Sequence, residues 1–388
     1  RVIADYATFK ARAAAIGAWL LAERGIRKGD RVAIFMKNRT EYLETLYGIW
    51  FAGAVAVPIN AKLHPTEAAW IIGNAGAGLV FVSGDVSDGL AALLGDHVAI
   101  LSADSPDWAG IYQSPPLSAP EPLRSDDLIW LFYTSGTTGR PKGVMLTAGN
   151  ITAMALAYFC DVDEVHSQDA ILYAAPISHG AGIYNFMHVM KGARHVVPAS
   201  GGFDAGEILD LAPKIGPVSM FAAPTMIKRL VAEARASGRV GEGIKTVVYG
   251  GGPMYTADII EAVSVMGDRF VQIYGQGECP MAITALPRHL VRDRTHQNWR
   301  SRLGSVGVAQ SPSEVAIVGA DGTPLPEGKI GEIVVRGAVV MAGYWQNPEA
   351  TAKAIQGGWL WTGDMGAMDR DGFVTLHDRS KDMIISGG

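Results

Sequence analysis

The stretch Ile129-Trp-Leu-Phe-Tyr-Thr-Ser-Gly-Thr-Thr-Gly-Arg-Pro-Lys-Gly143 joins an apolar run to a loop rich in glycine and hydroxyl groups. Residues 129–133 have the length and composition of a buried strand. In the loop, glycines let backbone N–H groups approach a ligand, hydroxyls donate hydrogen bonds, and Lys142 supplies a positive charge. The segment therefore predicts a strand that leads into a polyphosphate-binding loop.

The spacing of this loop excludes two common phosphate-binding patterns. Only two residues separate Gly136 from Gly139, and Gly143 rather than Ser or Thr follows Lys142, so the loop is not a Walker A motif. It also lacks the GxGxxG spacing of a dinucleotide fold. A flexible turn is the structural alternative, but a linker has no need for the terminal Pro141-Lys142.

Helical and short apolar segments alternate on both sides of this loop, from about residue 6 to residue 275. This alternation predicts an α/β fold with two parallel-type sheet subdomains, although a mixed α+β fold is an alternative. Predicted helices lie at 8–23, 40–51 and 65–74, and predicted strands lie at 32–36, 54–57, 79–82, 129–133, 170–173, 195–197, 218–221, 246–249 and 270–274.

The character of the sequence changes after about residue 301. Short alternating segments at 314–318, 331–336 and 372–376 are separated by Gly, Pro and Asp turns, which is typical of a small antiparallel β unit. We expect an α/β region at 1–300 and a β-rich subdomain at 301–377.

Composition excludes several classes of protein. The 388 residues carry 33 basic and 38 acidic side chains, a formal charge of −5, which argues against a dedicated nucleic-acid surface. No apolar stretch reaches the ~20 residues of a membrane span. Cys160 and Cys279 stand alone, which argues against a zinc site and favours a reducing, cytoplasmic setting.

The loop resembles the phosphate loop of the adenylate-forming superfamily, which includes acyl-CoA synthetases, amino-acid adenylation domains and beetle luciferases. Four further segments match that family in order along the chain. They are Tyr249-Gly-Gly-Gly-Pro-Met254, Tyr274-Gly-Gln-Gly-Glu278, Trp361-Thr-Gly-Asp364 and Asp378-Arg-Ser-Lys-Asp-Met-Ile-Ile-Ser-Gly-Gly388.

The resemblance implies a nucleotide site with ATP or AMP as its ligand. It places Tyr274 in a stack on adenine, lets Asp364 accept hydrogen bonds from the ribose hydroxyls, and gives Arg379 a second ribose contact. A structural Gly-Asp turn is the alternative for Asp364. The phosphates would be bound by Lys142 together with Thr134, Ser135, Gly136, Thr137, Thr138 and Gly139, and the nucleoside would also contact Gly251, Gly252 and Gly275.

Magnesium is implied by the same resemblance, with Glu278 and Thr137 as its candidate ligands. The chain departs from the family here, because Gly277 stands where a Thr is usual. A hydroxyl-to-phosphate hydrogen bond worth roughly 1.5–3 kcal/mol would then be missing. Nucleotide affinity would be lower unless Thr137 and Thr138 compensate.

The acyl-binding site is expected near Ala175-Pro-Ile-Ser-His-Gly-Ala-Gly182, with His179 as the residue beside the substrate carboxylate. No Asp lies between residues 173 and 191 to pair with an ammonium group, so an amino-acid substrate is disfavoured. Gly182, Gly252 and Gly277 would leave room for a fatty or aromatic acyl group, although glycines equally serve close backbone packing.

The resemblance implies an AMP-forming acid–thiol ligase with CoA as co-substrate. By the same resemblance, Lys381 marks a hinge in 378–388, after which a C-terminal lid domain would follow. Because the chain ends before that lid, we expect the 388 residues to bind ATP or AMP but to form little adenylate. Alternatives are a non-catalytic nucleotide-binding remnant, or adenylation followed by a carrier-protein or oxidative step. The oligomeric state stays open.

Overall fold

The structure is a computed structural model that describes residues 2–86, 88–134 and 140–379, with only the backbone described at 85, 378 and 379. The chain divides into two compact units. Unit 1 comprises Arg1–Gly149, Pro176–Gly182 and Tyr344–Gln346, and unit 2 comprises Asn150–Ala175, Ile183–Gly343 and Asn347–Gly388. Neither unit is one continuous piece of sequence. The predicted domain boundaries at residues 300 and 377 stay predictions.

The described elements follow in chain order. The helices are α1 (Tyr6–Arg24), α2 (Thr40–Phe51), α3 (Pro65–Ala75), α4 (Leu90–Leu94), α5 (Asp107–Ile111), α6 (Ala148–Ala157), α7 (Gly180–Ile183), α8 (Asn185–Met190), α9 (Ala205–Ile215), α10 (Pro224–Ser237), α11 (Thr256–Met266), α12 (Arg288–Arg292), α13 (Trp299–Leu303) and α14 (Pro348–Ala354). The strands are β1 (Arg31–Phe35), β2 (Val55–Pro58), β3 (Leu79–Val82), β4 (Ala99–Ser102), β5 (Leu128–Thr134), β6 (Lys142–Thr147), β7 (Ala170–Leu172), β8 (Arg194–Val196), β9 (Val218–Ala222), β10 (Ile244–Tyr249), β11 (Phe270–Gln276), β12 (Cys279–Leu286), β13 (Val308–Ala309), β14 (Ser313–Val318), β15 (Gly331–Gly337), β16 (Gly343–Tyr344), β17 (Ile355–Gln356), β18 (Trp359–Met368) and β19 (Val374–Arg379).

Unit 1 is built on a mainly parallel sheet that includes the strand order β6-β5-β2-β1-β3-β4. The central strand β1 pairs in parallel with β2 and β3, so Ala33 lies between Val57 and Val80. These strands are almost fully buried, and burial on both faces explains their continuous apolar sequences. The predicted strands of this region are confirmed, whereas β4, which pairs in parallel with β3, and β6, which pairs antiparallel with β5, were not predicted.

Local sequence signals set the ends of the first helix. The Asp5 carboxylate accepts a hydrogen bond from the Thr8 N–H (2.8 Å) at the N-cap of α1. Gly25 ends the helix with φ +63°, a conformation that glycine adopts without steric cost. A glycine in α2 lets α1 approach closely, because a Cβ on Gly48 would overlap the Ile16 side chain.

Unit 2 contains a second sheet in the order β13-β12-β11-β10-β9-β7-β8. Strands β8, β7, β9, β10 and β11 run parallel, and β12 and β13 continue the sheet antiparallel. Its buried core includes Val247 and Phe270 of the sheet and Ile227 of α10. Open α/β sheets bind ligands at the carboxyl ends of their strands. The ends of β10 and β11 are therefore the first candidates in this unit.

A third, antiparallel sheet also belongs to unit 2. Its order is β14-β15-β18-β17, and β19 pairs with β18. The predicted segments 314–318, 331–336 and 372–376 are confirmed as β14, β15 and β19, and the predicted fold class is confirmed with them. The long strand β18 was not predicted. Among the described residues, no helix combines the length and apolarity needed to cross a membrane.

Candidate active site

The predicted phosphate loop is held between two paired strands of unit 1. Thr134 ends β5 and Lys142 begins β6, and the two residues lie opposite each other in the antiparallel pair. Lys142 therefore projects from a strand rather than from the loop itself. The predicted phosphate contacts Ser135, Gly136, Thr137, Thr138 and Gly139 lie outside the described residues.

The Lys142 side chain packs against an aromatic ring. Its ammonium nitrogen lies 4.3 Å from the centroid of the Tyr344 ring, a cation–π geometry. The following glycine has a packing role, because a Cβ on Gly143 would lie only 3.0 Å from Cζ of Tyr133 and 3.2 Å from Cβ of Trp345. Trp345 N–H also donates to the Gly143 carbonyl (2.7 Å), which fixes the start of β6.

His179 lies in a tight turn of unit 1 and its side chain is exposed. The turn is anchored upstream by the Ile177 N–H, which donates to the Asn38 side-chain oxygen (2.8 Å). The imidazole ring lies 5.1 Å from the Phe132 ring, centroid to centroid. Desolvation by the surrounding atoms lowers the pKa of His179 below its ordinary value.

The same turn explains Gly182. A Cβ at this position would overlap the Ile177 carbonyl oxygen, so only glycine fits here. Close backbone packing, which was the alternative interpretation of the sequence, accounts for Gly182 without a ligand. Its role in an acyl pocket stays a prediction.

In unit 2 the glycine turn follows β10, at the carboxyl end of the parallel strands. A Cβ on Gly250 would lie 2.6 Å from the Ile273 carbonyl oxygen, and Gly251 has φ +76°, so each has a backbone reason to be glycine. Gly252 differs, because a Cβ there would make only an ordinary 3.7 Å contact with Pro224. Neither close packing nor backbone conformation therefore requires a glycine at the exposed position of Gly252.

The segment Tyr274–Glu278 forms the end of β11 and a tight hairpin. Gln276 pairs with Cys279, which leaves Gly277 and Glu278 as a two-residue loop between β11 and β12. Gly275 is needed because a Cβ there would lie 2.5 Å from the Met281 N atom. This hairpin presents the Glu278 side chain, half-buried, at the end of the sheet.

Asp364 lies in β18, and its carboxylate accepts hydrogen bonds from two side chains of β11. The Tyr274 hydroxyl donates to Asp364 Oδ2 over 2.7 Å, and Gln276 Nε2 donates to the same oxygen over 2.8 Å. Tyr274 and Asp364 are each 7% exposed. Burial, together with the neighbouring Asp364 carboxylate, raises the pKa of Tyr274 well above its usual value, so the hydroxyl stays a donor.

The strand around Asp364 is irregular, and it is not the turn that the sequence suggested. Its register with β19 shifts between Asp364 and Gly366, and Gly363 has φ +73°. These features mark a β-bulge, a device that redirects side chains next to functional sites. Asp364 also pairs with Arg379 of β19. The structure thus brings the two predicted ribose-binding positions together, while Lys381 lies outside the described residues.

No metal cage is present among the described residues, because no group of three or more His, Cys, Asp or Glu side chains is placed to hold an ion. This donor set is compatible with Mg²⁺, which is commonly bound through one or two carboxylates plus substrate phosphates. Glu278 is the candidate carboxylate. Thr137, the other predicted ligand, lies outside the described residues.

Sequence reasoning assigned no role to Gln276 or Tyr344. Within the Tyr-Gly-Gln-Gly-Glu segment, roles were predicted for the tyrosine and the glutamate but not for Gln276. Its partner Asp364 lies 88 residues away in the chain, and no local pattern predicts that pair. Its amide side chain, the one such group in the motif, was the available signal.

Comparisons with known proteins place this geometry in context. The chain matches the family described as AMP-binding enzyme over residues 3–345. It is 37% identical over 385 residues to a feruloyl-CoA synthase from an Amycolatopsis species, covering 99% of this chain and 75% of that protein. It is 32% identical over 390 residues to a long-chain fatty acid–CoA ligase of Mycobacterium tuberculosis, covering 95% and 72% of the two chains.

A solved structure shares the fold. The crystal structure of the N-terminal domain of FACL13 from Mycobacterium tuberculosis superposes with a TM-score of 0.83 at 28% identity. The match covers 96% of this chain and 92% of that domain. The architecture of the described residues is therefore that of such an N-terminal domain.

Proposed function

This chain belongs to the AMP-binding enzyme family, and from that membership we propose that it joins a fatty or aromatic carboxylic acid to CoA using ATP. The relatives support this class, since both the feruloyl-CoA synthase and the fatty acid–CoA ligase form acyl-CoA by name. They confirm the predicted acid–thiol ligase, with ATP or AMP and CoA as its nucleotide and thiol.

The reaction takes place in two steps. A carboxylate oxygen of the acid attacks the α-phosphorus of ATP, and the bond from that phosphorus to pyrophosphate breaks, which yields an acyl-adenylate. The sulfur of CoA then attacks the acyl carbon, AMP leaves, and the thiol proton is released. Because the substrate is its own nucleophile, no Ser-His-Asp triad is required. The protein contributes positioning and charge neutralisation.

We assign the nucleotide contacts as follows. Asp364 accepts hydrogen bonds from the ribose, a task suited to a group that only accepts. Tyr274 lies against the adenine, and Lys142 neutralises phosphate charge together with the loop that it follows. Glu278 would hold Mg²⁺, which would supply further positive charge at the phosphates. His179, whose pKa is lowered by desolvation, would lie beside the carboxylate of the acid.

One observation supports the assignment above the others. Asp364 is a buried carboxylate, 7% exposed, that accepts two directed hydrogen bonds on one oxygen, and its backbone lies opposite that of Arg379 in the sheet. A buried charge of this kind is costly unless it serves a binding or structural purpose. Ribose recognition gives it one.

Single-turnover product analysis tests the proposal. The chain at high concentration is mixed with ATP, Mg²⁺, CoA and one member of a panel of fatty and aryl acids, and the quenched mixture is analysed by mass spectrometry. A single turnover is chosen because it detects enzyme-bound product directly. Acyl-adenylate or acyl-CoA with at least one acid is the expected result. Nucleotide binding without either product across the panel would favour a non-catalytic binding module.

A further inference from the structure

Gln276 bridges two strands that carry different parts of the site. Its Nε2 atom donates to Asp364 Oδ2 and to the Thr362 carbonyl, each over 2.8 Å. Both acceptors belong to β18, whereas Gln276 ends β11. We propose that Gln276 is a positioning residue, which holds the Asp364 carboxylate in the rotation that binds the ribose hydroxyls. This inference rests on the proposed function.

The geometry explains why two donors on one oxygen would matter. A carboxylate is a planar group with about four lone-pair sites, and rotation about its terminal bond is soft. Gln276 and the Tyr274 hydroxyl both bond Oδ2, so together they define the plane of the group. An acceptor whose direction is set before the ligand arrives loses less conformational freedom on binding.

The bridge is anchored at its far end as well. Thr362 Oγ1 donates to the Ile333 carbonyl of β15 (2.7 Å), and the Asp364 N–H donates to Thr362 Oγ1 (3.1 Å). The segment that carries Asp364 is thereby fixed to the neighbouring strand. Gln276 connects this fixed segment to β11, so a change at Gln276 acts on Asp364 without removing any group assigned to the nucleotide.

Tyr274 joins adenine and ribose recognition in one network. Its ring is assigned to the base, and its hydroxyl is the second donor to Asp364. The substitution Tyr274→Phe keeps the ring and removes only that donor. It therefore offers a second, independent perturbation of the same carboxylate.

The test compares two nucleotides that differ only in the ribose. Binding of ATP and of 2′,3′-dideoxy-ATP is measured by calorimetry for the wild-type chain and for Gln276→Leu. We expect the variant to bind ATP about tenfold more weakly, the size of one lost hydrogen bond. Its affinity for the dideoxy nucleotide should change less than about twofold, so the preference for intact ribose collapses.

A matched control separates positioning from general damage. Gln310 is buried, and its Nε2 atom also donates to two oxygens, the carbonyls of Met281 (2.7 Å) and Thr284 (3.0 Å). The substitution Gln310→Leu should lower stability but preserve the ratio of the two nucleotide affinities. If Gln276→Leu does not fold, Gln276→Met takes its place, because it keeps the length of the side chain and also removes the amide donor. Tyr274→Phe, with Tyr249→Phe as its control in the same sheet, perturbs the same carboxylate through its other donor.

The outcomes separate the positioning role of Gln276 from the proposed ribose binding by Asp364, on which that role rests. Equal weakening of both nucleotides in Gln276→Leu, or no weakening of ATP, would overturn the positioning role alone. A wild-type chain that binds ATP without any preference over the dideoxy nucleotide would overturn the ribose assignment of Asp364 as well.

Discussion

Thr134 and Lys142 lie opposite each other on antiparallel strands, so the predicted phosphate loop begins and ends at one cross-strand pair. Both ends of the loop are fixed by this strand pairing, and the backbone of Lys142 is held in place as part of β6. Strand-anchored functional groups are positioned more accurately than groups on free loops. This relationship gives the lysine a defined place from which to meet a phosphate.

Replacing Lys142 should weaken catalysis far more than folding. We expect Lys142→Ala to lower the single-turnover rate of pyrophosphate release by roughly 10²–10³-fold, the range seen when one preorganised electrostatic group is removed. Lys62→Ala, which removes an exposed lysine of the same unit, is the control and should leave the rate of pyrophosphate release unchanged. A rate within threefold of wild type for Lys142→Ala would remove this lysine from the mechanism.

Replacing Asp364 should destabilise unit 2 in addition to weakening nucleotide binding. In Asp364→Ala, the Tyr274 hydroxyl and Gln276 Nε2 lose their shared acceptor in a buried place. Gln276 Nε2 keeps the Thr362 carbonyl as an acceptor, so the main loss falls on the buried Tyr274 hydroxyl. One unsatisfied donor costs about 1–3 kcal/mol, and we expect the free energy of unfolding in urea to fall by that amount. Asp126→Ala, at a carboxylate that is 70% exposed, should cost little. Equal stabilities of the two variants would mean that the network around Asp364 contributes nothing to the fold.

The glycine turn after β10 allows folding and ligand binding to be tested separately. A methyl group on Gly252 meets only an ordinary contact, whereas one on Gly250 meets the Ile273 carbonyl at 2.6 Å. We expect Gly252→Ala to keep wild-type stability and to bind ATP about tenfold or more weakly, because its methyl group would intrude on the nucleoside. Gly250→Ala should instead be destabilised.

Thermal unfolding and ATP calorimetry on both glycine variants measure these two effects. Normal ATP affinity in a stable Gly252→Ala protein would show that the turn does not approach the nucleotide.

Stability should fall on acidification, partly because of a buried histidine in unit 2. His188 is 1% exposed, and burial lowers its pKa to about 4. The unfolded chain keeps the ordinary value of about 6.5, so between pH 6.5 and pH 4 the unfolded state binds more protons. This histidine therefore stabilises the fold fully above pH 6.5, and that contribution declines by up to about 1.4 kcal/mol per pH unit below it.

Urea unfolding at pH 5.0 and pH 7.5 measures this effect. The difference between the two pH values should shrink in His188→Asn, where Asn can still donate toward the Tyr184 carbonyl that His188 Nδ1 contacts at 2.8 Å. The variant retains His195, whose pKa burial also lowers, to about 3, so part of the difference remains. An unchanged difference in the variant would exclude His188 as its source.

Most of the predicted strands are buried runs of apolar residues, such as β1 and β3. Strands β6 and β18 were not predicted, because Lys142 and Thr362-Gly363-Asp364 interrupt their apolar pattern. Strand β12 was missed as well, although all of its residues are buried. The motifs located the candidate residues, since each motif is local. The convergence of Tyr274 and Gln276 on Asp364 could not be predicted, because it depends on how β11 meets the third sheet.

Calorimetric titration of ATP into the chain is the decisive measurement, because Lys142 and Asp364 are each proposed to contribute to nucleotide binding. We predict saturable binding of one ATP per wild-type chain. Affinity should fall at least about tenfold in Lys142→Ala and in Asp364→Asn, with Lys62→Ala unaffected. An affinity within twofold of wild type in both variants would show that neither Lys142 nor Asp364 contributes to nucleotide binding.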